Sequence, residues 1–139
     1  MNPFDLAWDL LKMPQEARRF AEQQHEGQMY GEEPYMTHVD EVASQFDDPH
    51  LQRIAYLHDT VEDGKTGIED IHERFGEDVG HAVNAMTRKQ GENYFDYIGR
   101  VAEHPEAKQV KIADLTHNLN GNPPGSLRQR YEKALEMLS

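Results

Sequence analysis

The sequence contains no cysteine, which excludes disulfides and thiolate zinc sites, so any metal must be held by imidazole and carboxylate. Basic residues are also scarce, 14 against 26 acidic ones for a net charge of −12. That balance argues against a nucleic-acid-binding surface, which needs a clustered basic face. No apolar run approaches the roughly 20 residues that cross a bilayer, and the first residues lack a basic-then-apolar secretory pattern. No membrane contact and a cytoplasmic location are therefore expected. Repeats, low-complexity tracts and interdomain linkers are absent, and the Pro/Gly-rich stretch at residues 121–125 reads as a connection between helices. What remains is 139 residues, 37% hydrophobic and 29% charged, enough for one domain that buries roughly two-thirds of its extended surface.

Apolar residues recur at helical spacing throughout. Ala17, Phe20 and Ala21 predict a helix from near Met13 that ends before Gly27, and Gly31-Glu-Glu-Pro34 a turn. His38, Val42 and Phe46 mark a second helix running to Asp48-Pro49. Leu51, Ile54, Ala55, Leu57 and His58 mark a third, with Thr60 through Asp63 as its continuation. Thr66 reads as the N-cap of a short helix ending at Gly76, with Glu69 completing a capping box. Helices follow over Glu77 to Met86, from Tyr94 to near His104, from Glu106 to Leu119, and over Leu127, Tyr131, Leu135 and Leu138. No segment alternates with period two, so the expected fold is an all-α, single-domain bundle over residues 1–139, with a core at about 13–120 and a closing helix at about 126–138.

The chemistry concentrates in Tyr56-Leu-His-Asp-Thr-Val-Glu-Asp63. His58 and Asp59 are potential cation ligands, while Glu62 and Asp63 follow each of them at i+4 and face the same side of a helix. Two other segments offer compatible ligands, His38 in Pro34-Tyr-Met-Thr-His38 and Asp114 in Val110-Lys-Ile-Ala-Asp-Leu-Thr-His-Asn118. Two imidazoles and two carboxylates suit Mn²⁺, Fe²⁺, Co²⁺ or Zn²⁺ with positions left for water and substrate, and Glu62 or Asp63 could orient or deprotonate that water. Each residue alone has a plainer reading: His38 as a packing histidine, Glu62-Asp63 as a solvated helix end, Asp114 as the partner of Lys111 or an arginine. Asp114 resists dismissal because it sits among Val110, Ile112, Ala113 and Leu115, where an unpaired carboxylate is costly.

The order His38, His58-Asp59, Asp114 resembles the ligand order of the HD-domain metal-dependent phosphohydrolases. The wider strings Gly27-Gln28, Gly31-Glu-Glu-Pro-Tyr-Met-Thr-His38, Leu57-His-Asp-Thr-Val-Glu-Asp63 and Val110 to Asn118 resemble the hydrolase domain of the RelA/SpoT family, from about Ala17 to Asn118. The resemblance implies an all-helical domain, usually with Mn²⁺, that removes the 3′-pyrophosphate of (p)ppGpp. It assigns His38, His58, Asp59 and Asp114 as metal ligands, Glu62 and Asp63 as the water-activating pair, and Asn118 as a nucleotide contact; Lys111 matches a basic position of the motif. The chain differs from the family pattern in having Met29 and Tyr30 near an expected basic residue, Leu115-Thr-His-Asn118 in place of Arg-Leu-His-Asn, and Gly121 for a usual threonine. Tyr30 is placed to stack on a base.

A polyphosphate approaching so acidic a protein needs local cations, and Thr87, Arg88 and Lys89 with Tyr94, Tyr97 and Arg100 form a candidate substrate wall, Arg88 first among them. His25, His72, His81, His104 and His117 read as surface or packing histidines, and Trp8 as a cap on the core. The partner is expected to be a small nucleotide, and a homo-oligomer is left open. Other readings are an HD-type hydrolase of a deoxynucleoside monophosphate or NADPH, and a non-catalytic nucleotide or metal sensor.

Overall fold

Pro14, Pro49 and Pro105 each open a helix, where a fixed φ fits and the missing N–H is not needed. In the computed structural model, which describes residues 13–63 and 66–139 apart from the side chain of Asp63, these helices are α1 (Pro14–Gln24), α3 (Pro49–Leu57) and α8 (Pro105–Asn120). The others are α2 (Met36–Ala43), α4 (Thr60–Asp63), α5 (Ile68–Phe75), α6 (Glu77–Ala85), α7 (Tyr94–Ala102) and α9 (Gly125–Leu138). Side chains cap several of them. Asp48 accepts from the His50 N–H at 2.8 Å, Asn93 from the Phe95 N–H at 2.9 Å, and the His104 Nδ1 from the Ala107 N–H at 3.2 Å. The fold is all-α, as expected. Trp8 lies outside the described residues.

α8 runs through the middle of the bundle and packs against α2, α3, α6, α7 and α9. Its buried positions are Ala107, Val110, Asp114 and Leu115, so a carboxylate lies on the core face of the central helix. Ile54 and Leu57 of α3, Ile71 of α5, Val83 of α6, Ile98 of α7 and Leu138 of α9 complete one continuous core. α1 lies on α3 through Ala17, Phe20 and Ala21.

The local structure departs from expectation in three places. Residues 29–34 form a hairpin rather than a simple turn: β1 (Met29–Tyr30) pairs antiparallel with β2 (Glu33–Pro34) around Gly31, whose φ of 63° favours glycine. Strands of two residues are too short to display alternation. Thr66 does not cap α5. Gly67 holds the N-cap position, and the Thr66 hydroxyl donates to the Asp70 carboxylate at 2.9 Å.

The third departure shapes the site. The segment expected to be one helix breaks at His58-Asp59, between α3 and α4. Two side chains take the carbonyls of the last turn of α3: the His58 Nδ1 donates to Ala55 O at 2.6 Å and the buried Thr60 hydroxyl to Leu57 O at 2.8 Å. With those acceptors satisfied by side chains, the chain turns and restarts as α4.

Candidate active site

The break places His58 and Asp59 against α2 and α8. His38, in the first turn of α2, points its Nε2 at Asp114 Oδ1, 2.8 Å away. His58 Nε2 lies 3.0 Å from Asp59 Oδ2 and 3.3 Å from the same Asp114 Oδ1. One ligand atom from each of His38, His58, Asp59 and Asp114 falls within 4.8 Å of the others. His38 and His58 are 1% exposed and Asp114 4%, so the cluster forms the buried floor of a cleft of about 320 Å³.

The donor set fits a divalent cation. The His58 Nδ1 donates to Ala55 O, so in a neutral ring the Nε2 lone pair points at two carboxylate oxygens, a position that takes a proton or a cation. Such a meeting of lone pairs calls for a positive centre. Ligands each about 2.1 Å from an ion sit about 3 Å apart side by side and about 4.2 Å apart across it, close to the spread observed. The surrounding groups orient these side chains. His38 Nδ1 faces His117 Nδ1 at 2.7 Å, Lys111 Nζ donates to Asp114 Oδ2 at 2.9 Å, and the Tyr35 hydroxyl donates to Asp59. Asp114 thus has one oxygen paired with Lys111 and the other facing the imidazoles.

In the cation-free cluster, burial pushes the His58 imidazole down, but Asp59 and Asp114 outweigh it and hold the ring well above its ordinary value. Burial pushes Asp59 up, and His58 overrides it to bring that carboxyl down to about 2. Burial likewise opposes ionisation of Asp114, and Lys111, His38 and His58 together keep it well below the usual carboxylate range. For Lys111, burial favours the neutral amine, yet Asp114 holds it well above its ordinary value. The floor is a compensated charge cluster rather than a set of isolated groups.

Glu62 and Arg88 stand on the cleft wall, joined by a 3.2 Å hydrogen bond from the Arg88 N–H to the Glu62 carboxylate. The Asp63 side chain, paired with Glu62 in the sequence reading, lies outside the described atoms. Tyr30, Lys111 and Asn118 reach the same cleft. Tyr30 stacks on His38 with centroids 4.6 Å apart, and its hydroxyl donates to Asn118 Oδ1 at 2.8 Å, so the ring face expected to meet a base already carries an imidazole.

Two residues of the proposed wall hold the fold together, Tyr97 while also lining the cleft. The Arg100 guanidinium donates to both Glu92 oxygens, at 3.1 and 2.9 Å, and to the carbonyls of Asn84, Ala85 and Thr87, tying the connector to the end of α6. The Tyr97 hydroxyl donates to Met86 O at 2.7 Å. Sequence reasoning missed others. His117, read as packing, contacts His38, and Tyr35 contacts Asp59; Arg130 and Tyr131 on α9 line the cleft although their helix read as a plain amphipathic closure. The one available sign for His117 was its i+3 spacing from Asp114.

Comparison with known proteins agrees with this geometry. An HD domain family model matches residues 17–120. The chain is 35% identical over 76% of its length to a guanosine-3′,5′-bis(diphosphate) 3′-pyrophosphohydrolase of Aquifex aeolicus (strain VF5), covering 17% of that protein. It is 30% identical over 93% of its length to a probable GTP pyrophosphokinase of Mycobacterium leprae (strain TN), covering 19% of it. The chain therefore spans less than a fifth of these curated relatives. A solved structure described as a metazoan ortholog of SpoT that hydrolyzes ppGpp superposes with a TM-score of 0.72 at 25% identity, covering 90% of this chain and 82% of that one. Since the family match encloses every residue of the buried cluster, from His38 to Asp114, the chain belongs to the HD domain family.

Proposed function

We propose that the chain is a metal-dependent phosphohydrolase that removes the 3′-pyrophosphate of (p)ppGpp, with Mn²⁺ as its cation. The observation that carries the reading is the convergence of His38, His58, Asp59 and Asp114 at the floor of a cleft whose wall presents Glu62. A divalent cation held by those residues supplies Lewis acidity toward a phosphate oxygen and water. The chain's own groups do the rest. Glu62 takes the proton of the attacking water, with Asp63 as its companion; water adds to the phosphorus on the 3′ oxygen, and that oxygen leaves with a proton while pyrophosphate departs. Lys111 fixes Asp114, and Tyr30 and Asn118 border the nucleoside. Residues 13–139 act as one hydrolase domain in this reading, because α9 packs on α7 and α8 and completes the cleft.

One observation favours a second reading. The Tyr30 hydroxyl already occupies Asn118 Oδ1, so a nucleotide that makes no demand on Asn118, such as NADPH or a deoxynucleoside monophosphate, would leave that contact intact.

The test is product release from ppGpp, NADPH and dAMP by chelated protein resupplied with Mn²⁺. Manganese-dependent pyrophosphate release, fastest from ppGpp, is expected. Silence on ppGpp with turnover of another nucleotide transfers the chemistry to that substrate, and silence on all three removes the hydrolase reading.

A further inference from the structure

Two histidines meet away from the cleft, at the corner where α5 turns into α6. Gly76 makes the turn with a φ of 94°, and α6 folds back on α5. His72 lies in the last turn of α5; His81 lies in α6, where Glu77 precedes it by four residues and shares its face. The three side chains converge. His72 Nδ1 is 3.4 Å from Glu77 Oε1, His81 Nε2 is 3.6 Å from Glu77 Oε2, and the two imidazole centroids are 5.0 Å apart with their planes at 74°.

The seat of His72 is built into the backbone. A Cβ on Gly80 would stand 2.3 Å from His72 Nδ1 and 2.5 Å from its Cε1, so any larger residue there would drive the ring out. Glycine inside a helix costs about 1 kcal/mol relative to alanine, and α6 carries one where the imidazole needs the room. The nitrogen admitted there is buried without a hydrogen-bond partner, because the Glu77 oxygen stops beyond hydrogen-bond length.

We propose that His72, Glu77 and His81 form a second metal site, for a borderline divalent cation of the Zn²⁺ type, which pins the start of α6 to the end of α5. A nitrogen about 2.1 Å from zinc puts its ring centre about 3.2 Å from the ion, and two such rings at a tetrahedral angle stand about 5.2 Å apart. The observed 5.0 Å matches that spacing. The carboxylate between the imidazoles supplies the third ligand and a negative charge. The Glu77 and His81 side chains are 74% and 63% exposed, so they close on the ion by rotation and leave a fourth position to water. Two imidazoles favour Zn²⁺ over Mn²⁺. None of the three residues lines the cleft, and the site stands independently of the hydrolase reading.

Equilibrium dialysis of the chelated chain against Zn²⁺, with bound zinc counted per chain, tests this. Wild type is expected to hold one equivalent more than His81→Gln and one more than Glu77→Gln, both exposed changes with little to lose in folding. Gly80→Ala should lose the same equivalent by displacing the His72 ring. Zinc taken up by the His38/His58/Asp59/Asp114 floor is common to all these proteins and cancels in the comparison. Equal zinc in wild type and His81→Gln overturns the site. NMR of the imidazoles gives a second readout: on zinc addition the His72 and His81 resonances should shift together in wild type and stay in place in Glu77→Gln. Shifts confined to other histidines overturn the proposal, and neither measurement depends on turnover of any nucleotide.

Discussion

Glu62 owes its position to a single residue that is neither acid nor ligand. The Thr60 hydroxyl takes Leu57 O, the helix breaks, and α4 restarts one turn from the His58-Asp59 pair, setting Glu62 on the cleft wall. There its carboxylate accepts from the Arg88 backbone N–H at 3.2 Å, a contact that fixes one oxygen. A group so placed can serve as a base without serving as a ligand, and the two roles separate by mutation. Glu62→Gln should lower kcat by about 10²- to 10⁴-fold while Mn²⁺ binding, followed by calorimetry, stays within about two-fold. A variant that loses metal instead would make Glu62 part of the ligand set, and one that keeps full turnover would move the base elsewhere.

At the scale of elements, the connector between α6 and α7 is secured by charge rather than apolar packing. Glu92 accepts from Arg100 and from the Lys89 N–H, and these contacts, the Arg100 hydrogen bonds first, lower its carboxyl from 4.5 to about 2. A depressed carboxyl contributes stability that is present above its ordinary value and is lost as pH falls through about 2. In metal-free protein, the stability gap between wild type and Glu92→Gln, measured by urea unfolding, should therefore be widest near neutral pH and shrink as pH falls from 4.5 toward 2. A gap independent of pH would mean that Glu92 acts through shape alone. The same connector shows where sequence reading reaches its limit. Arg100 read as a substrate cation because a polyphosphate meeting so acidic a chain needs local positive charge, yet it turns inward to collect three carbonyls, a choice set by how α6 ends in space. Arg130 and Tyr131 were hidden for the opposite reason: α9 has the apolar spacing of any closing helix, and only its docking shows what the other face meets. The clustering of His38, His58, Asp59 and Asp114 was legible because its cues are local. An adjacent His-Asp pair and a carboxylate embedded among Val110, Ile112 and Leu115 are costly arrangements that call for compensation wherever the helices pack. The break at His58-Asp59 was not legible, since a threonine after a helix announces a cap only once its hydroxyl is seen to turn back.

For the whole molecule, the cluster is a place where a bound cation can add stability. It sits where α2, α3 and α8 converge, on the floor of the cleft in a protein of net charge −12, and without a cation the positive charge between the Asp59 and Asp114 oxygens comes from the proton held on His58. Binding Mn²⁺ should thus stabilise the entire fold. A ligand present at 100 times its Kd, and bound only by the native state, adds about 2.7 kcal/mol, which for a domain of this size raises Tm by about 10 °C. Thermal unfolding of chelated protein, then of the same protein with manganese, should show that rise. Asp114→Asn keeps the shape of the side chain and removes the charge shared by His38, His58 and Lys111, so it should lower Tm without metal and respond little to manganese. Sodium chloride at matched ionic strength supplies the comparison, because screening of the acidic surface would raise Tm in wild type and Asp114→Asn alike. A manganese response of equal size in both proteins would place the stabilising cation on the surface, whereas one confined to the wild type would put it at the junction of α2, α3 and α8.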